Sequence, residues 1–188
     1  MTNDVKKSQS HQDRVASGDI IGFVDADGAI PVFEIVRLFQ IADIEKSVVF
    51  GSRWVKESRV IERENFRNVI GGRVFHYLSF AVLGIKEKDT FCGLKAFPKD
   101  TAKSIESRIM IRDRTFNVAI AYHLRLMDIR PIETGITWTH KDGSKLPVSL
   151  RVIVVMFITL IGLRLAHWKK FDIAKHLAVK FRDILDFY

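Results

Sequence analysis

The chain has 188 residues, 47% of them apolar, which suffices for one domain with a sizeable core and excludes a disordered polypeptide. A formal charge of +8 points to an anionic partner: nucleic acid, a phosphorylated ligand or an acidic membrane surface. The single cysteine, Cys92, excludes an intrachain disulfide and a cysteine-built zinc site and agrees with a reducing compartment.

The opening stretch, MTNDVKKSQSHQDRVASGD, is hydrophilic and lacks the apolar centre of a secretory signal. Ile20–Val24 is short and apolar between Gly18-Asp19 and an Asp-rich turn, so it predicts a buried strand. Pro31 suits the first turn of a helix running to about Ala42. SVVFGSR predicts a second strand ending at Gly51, and the charged stretch 54–65 a loop. FRNVIGGRVFHYLSFAVLG predicts a helix weakened by Gly71 and Gly72. FCGLKAF predicts a third strand, after which Pro98 and Asp100 open a short helix. TFNVAIAYHLRLMD predicts an amphipathic helix. IRPIETGITWTH predicts a strand whose Pro131 indicates an edge or entry position, and KDGSK a turn.

The last forty residues leave this alternation. Val152–Leu163 is uncharged but bounded by Arg151 and Arg164. Those arginines would stand about 20 Å apart on a helix, short of a bilayer core of about 30 Å, so no regular transmembrane span is expected. The following FDIAKHLAVKFRDILDFY gathers Phe171, Ile173, Leu177, Phe181, Ile184 and Leu185 on one half of a helical wheel. Its lysines and arginines, with Trp168 at the boundary, suit an interfacial membrane element. Packing on the sheet or on a second subunit is the alternative. The expected architecture is α/β, with a domain over residues 1–146 and juxtamembrane amphipathic helices over 147–188.

The chemistry concentrates at Asp25 and Asp27, which follow the first strand. Strand ends of α/β sheets are where such folds place ligands, and Mg²⁺ is commonly held by one or two carboxylates together with substrate phosphates. Asp-x-Asp is also frequent in loops, and taken alone the tripeptide is better explained by a solvated turn with Asp25 capping local backbone. No helix or strand pattern of a nucleic-acid module accompanies the basic charge. His76, His123 and His140 show no metal spacing, and Cys92 reads as a small core residue.

Taken in order, SGDIIGFVDADGAIP, VVFGSRW, FRNVIGGR, KDTFCGLKAFP and GITWTHKDGSK resemble the family 2 glycosyltransferases of GT-A (Rossmann-like) fold. The resemblance is to the polyprenyl-phosphate sugar synthases, the dolichyl-phosphate mannose and glucose synthases, and covers roughly residues 16–165. It implies a hexosyltransferase that uses a nucleotide sugar, a divalent metal (Mg or Mn) and a polyprenyl (dolichyl) phosphate acceptor. It also implies action at the cytosolic face of a membrane. By the resemblance, Asp25 and Asp27 match the donor and metal element, Asp27 being the firmer ligand. Arg53, Arg67 and Lys145 match positions that meet the acceptor phosphate, and Asp89 matches the acidic residue near the transfer site.

Three departures accompany the resemblance. Only about twenty residues precede the Asp-x-Asp strand, where the family has a nucleotide-base-binding strand and further elements. The similarity is therefore to the C-terminal part of such an enzyme. This leaves an expected unpaired edge beside Ile20–Val24, open to aggregation or a partner chain. Gly71 stands where the family has a phosphate-binding serine. Asn117 and Ala119 stand where relatives carry carboxylates. Two readings follow: a transferase completed by a partner chain or working through a minimal site, and a non-catalytic membrane-associated remnant or scaffold subunit. A soluble domain that oligomerises through its tail is a third.

Overall fold

The computed structural model describes residues 18–61, 66–109, 115–139 and 150–167 and divides the chain into two units. The first comprises Met1–Glu64 with Glu87–Lys145, the second Asn65–Lys86 with Leu146–Tyr188. The KDGSK turn and the terminal FDIAKHLAVKFRDILDFY lie outside the described residues, as does the stretch before Gly18.

In the first unit the strands are β1 (Ile20–Phe23), β2 (Val49–Ser52), β3 (Arg59–Val60), β4 (Lys95–Pro98), β5 (Ile132–Gly135) and β6 (Thr137–Trp138). The main sheet has the order β1-β4-β2-β5. β4 runs antiparallel to both neighbours, and β5 pairs in parallel with β2. Pro131 immediately precedes the edge strand β5, as its missing N–H requires. β3 and β6 form a separate two-stranded parallel pair; β3 lies inside the stretch expected to be loop, whereas β6 lies in the expected strand IRPIETGITWTH, which divides into β5 and β6. A two-residue charged strand carries no periodic signal, and only its partner defines it.

The first strand differs from expectation. All four of its residues are half-buried, because β1 is an edge strand with β4 on one side and no partner on the other among the described residues. Its fully buried counterpart is β2, an interior strand with neighbours on both sides.

Alternation along the strands creates two distinct faces. Ile20, Val49, Leu94 and Ala96 pack with Leu38, Ala42, Ile136 and Trp138 and with helix α1 (Val32–Glu45). Full burial of each Leu or Val contributes roughly 1.5–3 kcal/mol. Glu34 in the first turn of α1 is buried, accepting from the Thr137 N–H at 2.8 Å and from Arg37 at 2.6–2.8 Å. Arg37 also donates to Thr134 and to the Gly135 carbonyl, tying α1 to the β5–β6 segment. The opposite face is aromatic: Phe23 stacks on Phe97, Phe50 meets Phe97 edge-on, and Phe116 tilts against Phe23. Phe116 opens helix α4 (Phe116–Leu126), which follows α3 (Lys99–Glu106). α4 is less amphipathic than its sequence suggests, with Val118 to Tyr122 and Leu124 all buried.

The second unit contains α2 (Phe66–Leu83) and α5 (Leu150–His167), which pack on each other. Gly71 and Gly72 lie inside α2 without breaking it. Leu160 and Leu163 are buried, whereas Ile70, Val74 and Tyr77 on α2 and Val154, Phe157 and Ile161 on α5 are exposed. No helix among the described residues is long and apolar enough to cross a membrane.

Candidate active site

β1 ends at Phe23 and releases the chain into the turn that carries Asp25 and Asp27. Gly28 follows with φ +70°, a conformation that a side chain would strain. The reversal lets Asp27 Oδ1 accept the Ala29 N–H at 2.9 Å. The turn cap expected of Asp25 is thus made by Asp27. Asp25 is placed differently: its own N–H donates to the Gly93 carbonyl at 3.1 Å, and its carboxyl lies directly against the Gly93 Cα. A Cβ at position 93 would overlap that carboxyl, so the glycine forms the cradle in which it rests. Partial burial there, and then the neighbouring Asp27 charge, raise the Asp25 carboxyl above the usual aspartate range; Lys95 and Arg53 oppose the rise.

The second cluster is built from β2 and the loop ahead of β4. Asp89 accepts three hydrogen bonds from Arg53: Nε at 2.8 Å and backbone N–H at 2.9 Å on Oδ2, and Nη2 at 2.9 Å on Oδ1. Burial alone would raise the Asp89 carboxyl, but the Arg53 charge and these bonds hold it below the usual value. The backbone N–H groups of Lys88 and Asp89 donate to the Glu133 carboxylate at 2.9 and 3.0 Å, so β5 fixes this loop. The Arg53 guanidinium also lies 5.4 Å from the centre of the Trp138 ring. The Asp89 side chain is 3% exposed and that of Arg53 18%, so of the two it is the arginine that reaches the surface.

Between these clusters sits Lys95, fully buried, where the sequence analysis assigned no role. Its signal was present: a lone lysine within the apolar run FCGLKAF. Its Nζ donates to the carbonyls of Thr90 at 3.0 Å and Cys92 at 2.5 Å and to Asn117 Oδ1 at 2.8 Å. The rings of Phe23 and Phe50, its cross-strand neighbours, stand 5.6 and 4.9 Å from the nitrogen. Burial depresses the ammonium to about 8 despite the nearby Cys92, Asp89 and Asp25. Cys92 is buried, and its thiol is pushed up to about 12 by burial and then by Asp89, which suits a core residue rather than a nucleophile.

Asp25, Arg53 and Asp89 are thus brought together around one loop, with Asp27 beside them. Arg67 belongs to the first turn of α2, in the other unit, and Lys145 lies outside the described residues. No cluster of three or more metal-ligating side chains occurs among the described residues. The two turn carboxylates, adjacent and exposed, still fit a hard cation that brings phosphate oxygens of its own, since such an ion needs only one or two carboxylates.

No protein-family model matches the chain. Among curated proteins it is similar to a dolichyl-phosphate beta-glucosyltransferase of Dictyostelium discoideum, 36% identical over 157 residues, covering 78% of this chain and 47% of the relative. The protein of the same name from Drosophila melanogaster is 33% identical over 139 residues, covering 70% and 42%. That from Homo sapiens is 27% identical over 135 residues, covering 69% and 42%. The chain therefore spans less than half the length of the curated relatives it matches.

Proposed function

The chain is a relative of the dolichyl-phosphate beta-glucosyltransferases over most of its length, and on that premise we propose that it serves transfer of a hexose from a nucleotide sugar to a polyprenyl phosphate. The observation that carries this reading is the convergence of the Asp25–Asp27 turn and the Arg53–Asp89 pair on the two ends of one short loop. The fold that would serve it is GT-A-like, and the mixed α/β sheet of the first unit is compatible with one.

In this reading Asp25 and Asp27 hold a divalent cation, Mg or Mn, and with it the donor diphosphate. When bound, such an ion neutralises charge on the departing nucleoside diphosphate. Burial chiefly, and then the Asp27 charge, raise the Asp25 carboxyl, and a bound cation would offset the second of these by neutralising the repulsion between the two carboxylates. Arg53, held by Asp89 and Trp138, presents a permanently charged planar group suited to the acceptor phosphate. Asp89 orients that arginine instead of taking a proton, and a phosphate acceptor, already anionic, needs placement more than deprotonation. By similarity, Arg67 and Lys145 add acceptor-phosphate contacts.

A further polypeptide segment, in the same or another chain, would complete the nucleotide site. The edge of β1, unpaired among the described residues, and the apolar groove beside it, lined by Ile20, Ile35, Val36 and Phe39, support this. The exposed apolar residues of α2 and α5 support an interfacial position at the cytosolic face of a membrane. Flotation with anionic liposomes should carry the chain to the top fraction; a chain left wholly at the bottom would refute membrane placement.

The test of the donor site is calorimetric titration of UDP and GDP, each with Mn²⁺, into the purified chain, with Asp27→Asn as control. Metal-dependent binding that the variant loses is expected. No binding by a demonstrably folded chain would mean that the donor site is incomplete here, leaving completion by a further segment or the non-catalytic reading, which the amide of Asn117 and the methyl of Ala119 at two expected carboxylate positions also favour. Gly93→Ala is a second check. Its methyl must displace the flexible Asp25 carboxyl, so Mn²⁺-nucleotide affinity should fall roughly 10- to 100-fold while the thermal midpoint moves little.

A further inference from the structure

Lys95 cannot touch a substrate: its side chain is fully buried, and its three N–H bonds meet three acceptors. Two of those acceptors, the carbonyls of Thr90 and Cys92, lie inside the loop Asp89–Gly93. One end of that loop is Asp89, whose carboxylate holds the Arg53 side chain and backbone. The other end is Gly93, whose carbonyl accepts the Asp25 N–H and whose missing side chain admits the Asp25 carboxyl. The third acceptor, Asn117, belongs to α4 and anchors the ammonium to the helix beneath. A single-donor side chain could not bridge three such points, and an apolar one would leave two buried carbonyls without a donor.

We infer that Lys95 is a positioning residue, whose ammonium fixes the 89–93 loop and thereby the spacing between Asp25 and Arg53. The functional importance of that spacing rests on the proposed transferase reading; the mechanical coupling does not. Second-layer groups of this kind act by orienting the residues that meet a ligand, and their loss leaves the fold while loosening the site.

The test is Lys95→Met in the full chain, read by amide hydrogen exchange at Asp25 and Arg53, with Ile129 and Ile132 as references. The reference amides bond to Leu124 and Val48 carbonyls, neither of which Lys95 or Asn117 touches. Exchange at Asp25 and Arg53 should accelerate together by about tenfold or more while the references change less than about twofold. Asn117→Ala, which removes one anchor and keeps the lysine, should accelerate the same two amides by a smaller factor, and serves if the methionine variant does not melt cooperatively. Unchanged exchange at Asp25 and Arg53 in the variant that folds, or equal acceleration at all four amides, would overturn the inference. Mn²⁺-dependent UDP affinity is the second readout, expected to fall about 10- to 100-fold in Lys95→Met. Absence of nucleotide binding by the unaltered chain would count only against a self-sufficient donor site, since the exchange readout still decides the role of Lys95.

Discussion

Asp89→Ala should cost about 3–5 kcal/mol of folding stability at pH 7, the penalty of leaving a largely buried guanidinium without its counter-charge. Asp89→Asn should cost less, because an amide oxygen in the place of Oδ2 can still accept the two Arg53 donors that Oδ2 now takes. The loss belongs to the orphaned charge and not to lost volume, so Arg53→Met/Asp89→Leu should recover most of it. Urea denaturation of the three variants measures this. Recovery of none of the loss in the double variant would mean that packing, and not desolvation, dominates. The pH dependence has a definite sign. The folded Asp89 carboxyl lies below its unfolded value of about 3.9, so its contribution is fully present above about pH 4 and disappears as pH falls through the folded value. Acid lability on that limb should be weaker in Asp89→Asn than in the unaltered chain.

The second large effect concerns Lys95. Its ammonium titrates near 8 in the folded chain against about 10.5 when unfolded, so the buried charge costs about 3 kcal/mol at neutral pH. Between pH 8 and 10.5 the unfolded chain binds more protons, and the lysine's contribution to stability therefore rises with pH in that window. Asn117→Asp places a carboxylate where an amide oxygen now accepts at 2.8 Å. It should raise the lysine's titration, add about 1–3 kcal/mol at pH 7 and lose that advantage by about pH 10, where the acid faces a neutral amine. Thermal melts of both proteins at pH 7 and pH 10 check the crossing. A variant less stable at both values would mean that repulsion from Asp25 and Asp89 outweighs the new pair.

The ordered series of short motifs marked the residues of the candidate site, because those of each cluster sit within or beside recognisable punctuation. Asp25 and Asp27 follow an apolar strand, Arg53 follows Gly51 and Ser52, and Asp89 precedes the FCGLKAF strand. The helices were legible for the same reason: Pro31 and Pro98 each stand one residue before a helix. The breadth of apolar surface on α4 was not. Its alternation with His123 and Arg125 suggested one polar side, whereas burial extends from Val118 through Tyr122.

What the sequence determined by itself is local: where strands and helices begin, which carboxylates follow a strand, and the resemblance that the similarity to known glucosyltransferases bears out. What only the tertiary structure decided depends on neighbours remote in the chain. The Arg53–Asp89 pair joins residues 36 positions apart, and β3 exists through its pairing with β6. β4 lies antiparallel in the middle of the sheet, which seats Lys95 between Phe23 and Phe50 and beneath the Thr90–Gly93 loop. A lysine's burial, and so its charge and its use, follows from the strands on either side of it and not from its own position in the chain.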